Sequence, residues 1–235
     1  MTHTLPPADY RLYVVTSGTR RRTVEAAAAA AAAGAGIIQV RAKDLSTADL
    51  LTLVLAIAAR VRTARPTTRV LVNDRADVAH AAMAKGAHVH GVHLGHDDLP
   101  VSAARHLLGP DALIGLTTGT LALVQQANTM ADIIDYVGAG PFRPTPTKDS
   151  ARPPLGIAGY PPLVAATTLP IVAIGDIQPA DVPALSTTGI AGVAVVRAIM
   201  EAIDPGHVAT EILSNWRGPA SLPRSDVTGW PVRLA

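Results

Sequence analysis

Eight apolar runs of strand length, each followed by room for a helix, limit most sharply what this chain can fold into. They are Arg11–Thr16, Ile37–Arg41, Val70–Asn73, Val89–Leu94, Leu113–Leu116, Tyr136–Ala139, Ile171–Ile174 and Gly192–Val195. Eight such alternations are the repeat expected of a (β/α)8 barrel, the TIM-barrel architecture of the α/β class. Composition agrees, because 49% of residues are apolar and only 3% aromatic. A core built of Ala, Val, Leu and Ile suits parallel strands beneath helices. A doubly wound open sheet is the structural rival, but it would normally place a glycine-rich turn after the first strand. That turn here reads TSGTRRR, without the spacing of a dinucleotide site. At 235 residues the chain can bury one large core. Residues 1–215 are therefore read as a single barrel domain and 216–235, rich in Pro, Gly and Arg, as an irregular tail.

The crossover after the second strand is the best defined. Ser46 and Asp49 have the spacing of a capping box, Thr47–Val61 keeps apolar character, and Pro66 lies beyond its end. Arg20, Arg21 and Arg22 before the alanines of 26–33 mimic a twin-arginine export signal. Glu25 interrupts that stretch, alanine makes a poor insertion core, and a strand candidate lies upstream. The segment is read instead as a helix stopped by Gly34 and Gly36. No span is apolar and long enough for a membrane helix. Lysine and arginine exceed aspartate and glutamate by 20 to 18, with no basic stripe interleaved with aromatics, which argues against nucleic acid as principal partner. The absence of cysteine excludes disulfides, thiolate zinc sites and cysteine nucleophiles, and is compatible with a cytoplasmic protein.

Polar groups gather at one end of successive strands. Gln39, Arg41 and Lys43 alternate along and beyond the second strand, so a period of two points all three the same way. Asn73 and Asp74 end the third run, and Asp98 follows the fourth. Thr145, Thr147 and Lys148 lie in the proline-stiffened segment GPFRPTPTK after the sixth. In a barrel these ends share one mouth. Gln39, Arg41, Lys43, Asn73 and Lys148 would then surround a polyanion, and Asp74 and Asp98 would hold a hard cation against it. Mg²⁺ fits, since it takes a couple of carboxylates plus phosphate oxygens. Gly175 and the backbone of Val195 and Val196, after the last two strands, suggest a second phosphate locus. Two anionic sites imply small-molecule partners and a two-substrate reaction. His88, His90 and His93 lie close together just before and within the fourth run and raise the question of an imidazole metal site, against which hydrogen-bonded structural histidines are the preferred reading. Asp74 and Asp98 also have a bland alternative as helix caps.

From Leu12 to Ile203 the chain resembles the thiamine phosphate synthase family. The resemblance rests on IIQVRAK (37–43), VNDRADVA (72–79), GVHLGHDDLP (91–100), IG (114–115), YVGAGPFRPTPTK (136–148), PIVAIG (170–175) and GVAVV (192–196), in order and at family-like spacing. It implies condensation of hydroxymethylpyrimidine pyrophosphate with a thiazole phosphate or its carboxylate, the pyrophosphate leaving first and the thiazole nitrogen capturing a pyrimidine methyl cation. By the same resemblance Asp74 and Asp98 would bind Mg²⁺, while Arg41, Lys43, Lys148, Gln39 and Asn73 would contact the pyrophosphate. Thr145, Thr147, Gly175, Val195 and Val196 would lie near the thiazole phosphate. The chain departs from the family pattern at Ser17, His96, Thr117 (in place of a Ser, keeping the hydroxyl), Gly119 and Asp176, which stands where a second glycine is usual. Arg197, replacing a frequent small residue, is the candidate partner for Asp176. A thiazole isomerase, a non-catalytic phosphate-ligand binding protein and a barrel acting on another phosphorylated substrate remain as alternatives, and a homo-oligomer is compatible with the sequence.

Overall fold

A computed structural model describes residues 7–144 and 153–218. Eight parallel strands close on themselves in sequence order. These are β1 (Leu12–Val15), β2 (Ile37–Val40), β3 (Arg69–Asn73), β4 (Gly91–Leu94), β5 (Leu113–Thr118), β6 (Tyr136–Ala139), β7 (Ile171–Ile174) and β8 (Gly192–Val195). Closure comes from β8 pairing with β1, with Tyr13 opposite Ala194. The helices that return the chain are α1 (Arg21–Ala32), α2 (Thr47–Ala64), α3 (Ala76–Ala84), α4 (Val101–Leu108), α5 (Leu121–Asn128), α6 (Tyr160–Ala165), α7 (Val182–Leu185), α8 (Arg197–Met200) and α9 (Pro205–Asn215).

The run of alanines is the helix α1, in which Ala27, Ala30 and Ala31 are fully buried. Small side chains let it sit close against both α2 and α9. At the start of α2 the Ser46 hydroxyl oxygen accepts from the Asp49 N–H at 3.2 Å and donates to the Asp49 carboxylate at 2.6 Å. That carboxylate is thus engaged by a side chain instead of the main chain a full capping box would use. Helix α2 runs one turn further than the sequence suggests, because Arg62 and Ala64 are good helix formers and nothing breaks the helix before Pro66.

Alternation along the strands sorts side chains into two layers. Leu12, Val14, Ile38, Val40, Val70 and Val72 pack outward beneath the helices. Tyr13, Val15, Ile37, Leu71, Tyr136 and Val172 fill the interior. The outer layer is aliphatic as composition suggests, but the inner one is not, since three of the chain's four tyrosines, Tyr10, Tyr13 and Tyr136, pack there.

The fourth strand begins at Gly91, two residues later than its apolar run. Residues 88–90 instead lie at the foot of the barrel, where His88 Nε2 meets the Thr68 carbonyl at 2.8 Å and His90 Nδ1 accepts the Val70 N–H at 3.1 Å. The three histidines therefore do not share a face. His88 and His90 stack edge to face at the foot, whereas His93 lines the opposite mouth. Trp216, placed in the tail by the sequence, is buried against the outer layer directly after α9; residues 219–235, including Trp230, lie outside the described residues.

Candidate active site

All eight strands and several of the loops that follow them enclose a cavity of about 400 Å³ at the C-terminal mouth. Gln39, Arg41 and Lys43 all line it, as a period of two requires. Gln39 is buried at the end of β2, and the Arg41 N–H is held by the Thr16 hydroxyl at 3.0 Å. Asn73 and Asp74 enter from β3, and Gly95, His96, Asp97 and Asp98 from the loop after β4.

Asp74 sits at φ 62°, a left-handed conformation that aspartate tolerates better than most residues. Its carboxylate lies 3.1 Å from Lys43 Nζ and hydrogen-bonds to Asp98. Burial works against its ionisation, but the hydrogen bonds from Lys43 and Asp98 outweigh it and hold Asp74 below its ordinary pKa. Asp98 goes the other way. Burial and the adjacent Asp74 push its carboxyl up, against the Gly95 N–H that donates to Oδ2 at 2.6 Å. Two carboxyl groups held this close favour either a shared proton or a cation between them. Among the described residues no three His, Cys, Asp or Glu side chains converge into an all-protein cage, but an acidic pair facing an anion site is the donor set Mg²⁺ takes when substrate oxygens complete its shell.

A hydrogen-bonded chain that sequence reasoning missed crosses the floor of the cavity. Gln39 Nε2 donates to the Tyr13 hydroxyl at 2.8 Å, which is 2.8 Å from the Tyr136 hydroxyl. Tyr136 is 2.9 Å from His93 Nδ1, and His93 Nε2 is 3.0 Å from the Thr117 hydroxyl. Beyond Gln39, each hydroxyl and ring nitrogen can serve as donor or acceptor, so the chain can be satisfied in either direction. The available signals were a tyrosine on the inward parity of β1 and a glycine on the inward parity of β5. A Cβ on Gly115 would stand 2.1 Å from Tyr136 Cζ.

The other end of the cavity is formed by Gly175, Asp176, Ile177 and Gln178 after β7 and by Val196, Arg197 and Ala198 around the start of α8. Val195 turns its side chain into the outer layer and leaves only its backbone near the mouth. Gly175, at φ 124°, packs against the chain after β6, where a Cβ would come within 2.5 Å of the Phe142 nitrogen. Asp176 is paired with Arg197 at 2.5 Å, the partner the sequence suggested. Thr145, Thr147 and Lys148 lie outside the described residues.

A family model described as thiamine monophosphate synthase matches residues 12–199. The chain is 56% identical over 208 residues to a thiamine-phosphate synthase of Corynebacterium jeikeium (strain K411), covering 88% of this chain and 95% of that protein. A second such enzyme, from Corynebacterium efficiens, is 50% identical over 212 residues, with 90% and 97% covered. The chain belongs to the thiamine monophosphate synthase family. A solved thiamine phosphate pyrophosphorylase from Pyrococcus furiosus superposes with a TM-score of 0.74 at 30% identity, over 87% of this chain and 94% of that one. A 3-hexulose-6-phosphate synthase, 19% identical, shares the barrel with a TM-score of 0.62. Family membership accounts for the ordered motifs, and the departures at Asp176 and Arg197 fall together on one end of the cavity.

Proposed function

We propose that this chain is a thiamine-phosphate synthase that joins hydroxymethylpyrimidine pyrophosphate to a thiazole phosphate, releasing pyrophosphate. The observation that carries this reading is the convergence of Arg41, Lys43 and the Asp74–Asp98 pair on one mouth of a closed barrel. In the proposed reaction the bond between the pyrimidine methylene and the diphosphate oxygen breaks, and both electrons leave with that oxygen. The pyrimidine methyl cation then accepts the lone pair of the thiazole nitrogen. One C–O bond is exchanged for one C–N bond and no proton moves, so no general base is required.

The barrier in such a reaction is charge separation, and fixed cations aimed at the departing oxygen lower it without reorganisation. Arg41 and Lys43, which line the cavity, would take that role, with Lys148 a third cation from the motif after β6. Asp74 and Asp98 would hold Mg²⁺, which when bound supplies Lewis-acid neutralisation of the diphosphate. Gln39, Asn73 and Thr117 present hydrogen-bonding groups to the bound pyrimidine pyrophosphate. The walls at Val15, Tyr136 and Val172 exclude water that would otherwise trap the cation. Gly175 and the Val195–Val196 backbone, with Thr145 and Thr147, belong to the thiazole phosphate end. Phosphorylated small molecules are thus the proposed partners, and a cytoplasmic location goes with them.

The test is thiamine phosphate formation from the purified substrates with and without Mg²⁺, beside Asp98→Asn. Metal-dependent product that falls by about 100-fold in the variant, or about 2.7 kcal/mol of transition-state stabilisation, is expected. Weakened Mn²⁺ binding by the variant, followed by electron paramagnetic resonance, checks the metal assignment without reference to turnover. Absence of product from folded wild-type protein overturns the reading.

A further inference from the structure

The loops after β7 and β8 carry a charge pair that the proposed reaction does not use. Asp176 lies at φ 54°, a left-handed conformation that glycine adopts freely and that aspartate, like Asp74, tolerates better than most residues. Its Oδ1 accepts from Arg197 Nη2 at 2.5 Å and from Gln178 Nε2 at 3.3 Å. As a structural device the pair is poor. The Arg197 side chain is 37% exposed and that of Asp176 21%, and ion pairs open to solvent contribute little to stability. A pair this open to water is therefore not explained by stability.

A second guanidinium at the same loop is already committed. Arg143 donates from Nη1 to the Asp176 carbonyl at 3.1 Å and from Nη2 to Asp181 at 2.5 Å, which fixes the loop from outside. Arg197 differs, because it lines the cavity and its only side-chain hydrogen bond among the described residues is the one from Nη2 to Asp176. A guanidinium has five donors in a rigid fork. One carboxylate contact sets its plane and leaves Nε and Nη1 for an anion, the geometry suited to phosphate. In barrels the loops after the last two strands are frequent phosphate sites. Asp176 also keeps this end electrically balanced, so an incoming phosphate meets an oriented neutral pair.

We propose that Arg197 is a specificity-determining residue that binds the phosphate of the thiazole substrate through the donors Asp176 leaves open, with Asp176 as its positioning residue. This rests on the reaction proposed above. The competing explanation is that Arg197 only neutralises Asp176, and a double variant separates the two. Calorimetric titration with thiazole phosphate and with the dephosphorylated thiazole alcohol is run on wild type, R197A, R197K, D176G and D176G/R197A, alongside KM for both substrates. R197A should bind thiazole phosphate about 30-fold more weakly, the loss expected for charge-assisted hydrogen bonds, while its affinity for the alcohol and its KM for the pyrimidine pyrophosphate stay unchanged. R197K should recover part of the loss, and D176G/R197A should stay weak. Return of the double variant to wild-type affinity overturns the proposal, as does equal binding of phosphate and alcohol by wild type. Tight, Arg197-dependent binding of thiazole phosphate without product would sustain this assignment while removing the enzymatic reading.

Discussion

Gly115 shows how one missing carbon shapes the site. Its absent Cβ leaves room for the Tyr136 ring, and the ring carries the hydroxyl that links Tyr13 to His93. Gly115→Ala must displace that ring, and overpacking of this kind costs about 1–3 kcal/mol, measurable by urea denaturation. Tyr136→Phe keeps the ring but strands the Tyr13 hydroxyl and the His93 ring in a buried setting, an expected loss of about 1–3 kcal/mol. A Tyr136→Phe protein as stable as wild type would show that the chain from Gln39 to Thr117 is not coupled through this hydroxyl. At this scale the sequence reveals side chains that follow strand parity, such as Gln39, Arg41 and Lys43. It hides the interior tyrosines, because low aromatic content says nothing about where the few aromatics go, and only the facing glycine marks the space they need.

Elements are held in register by polar contacts that leave little periodic trace. Arg105 of α4 donates to the carbonyls of Ile133, Gly109, Pro110 and Ala112 and to Asp135 at 2.9 Å, joining α4 to the approaches of β5 and β6. Asp135 in turn accepts the Ile114 N–H at 2.8 Å. Arg105→Ala would leave that carboxylate buried without its cation, at an expected cost of about 3–5 kcal/mol in thermal or urea unfolding. The foot of β4 gives a pH-dependent counterpart. Burial, helped by His88 and Arg69, pushes His90 down to about 3, and its Nδ1 must stay unprotonated to accept the Val70 N–H. The unfolded chain binds that proton near pH 6.5 and the folded one does not. Stability should therefore be unaffected by His90 above pH 6.5 and fall by about 1.4 kcal/mol per unit as pH drops from 6.5 toward 3. His90→Asn, whose amide oxygen can replace Nδ1, should flatten the slope in denaturation curves at pH 7 and pH 5. The same contact explains why the fourth strand starts late. Val89 and its neighbours are apolar enough to resemble strand, but the histidine side chains take backbone partners there.

Closure of the whole barrel was readable, because eight repeats of one unit leave few ways to protect sheet edges, and closure is what brings distant motifs to one mouth. Asp74 and Asp98 are separated by a complete helix, and Gln39 and Arg197 by most of the chain, yet all four line the same cavity. What the sequence does not display is the balance of charge there, in which Asp74 and Asp176 each face a cation and Asp98 faces a second carboxyl. A polyanion bound with Mg²⁺ should tie together the loops after the neighbouring strands β2, β3 and β4 and stabilise the fold. At a ligand concentration of about 100 Kd the gain is about 2.7 kcal/mol, which for a domain of this size raises Tm by roughly 5–10 °C. Pyrophosphate, the proposed product, is the probe. Scanning calorimetry with pyrophosphate alone, Mg²⁺ alone and both should give the full shift only with both, and Asp98→Asn should lose the metal-dependent part. An equal shift from pyrophosphate without metal would mean that Arg41 and Lys43 hold the anion unaided and that the acidic pair serves another purpose.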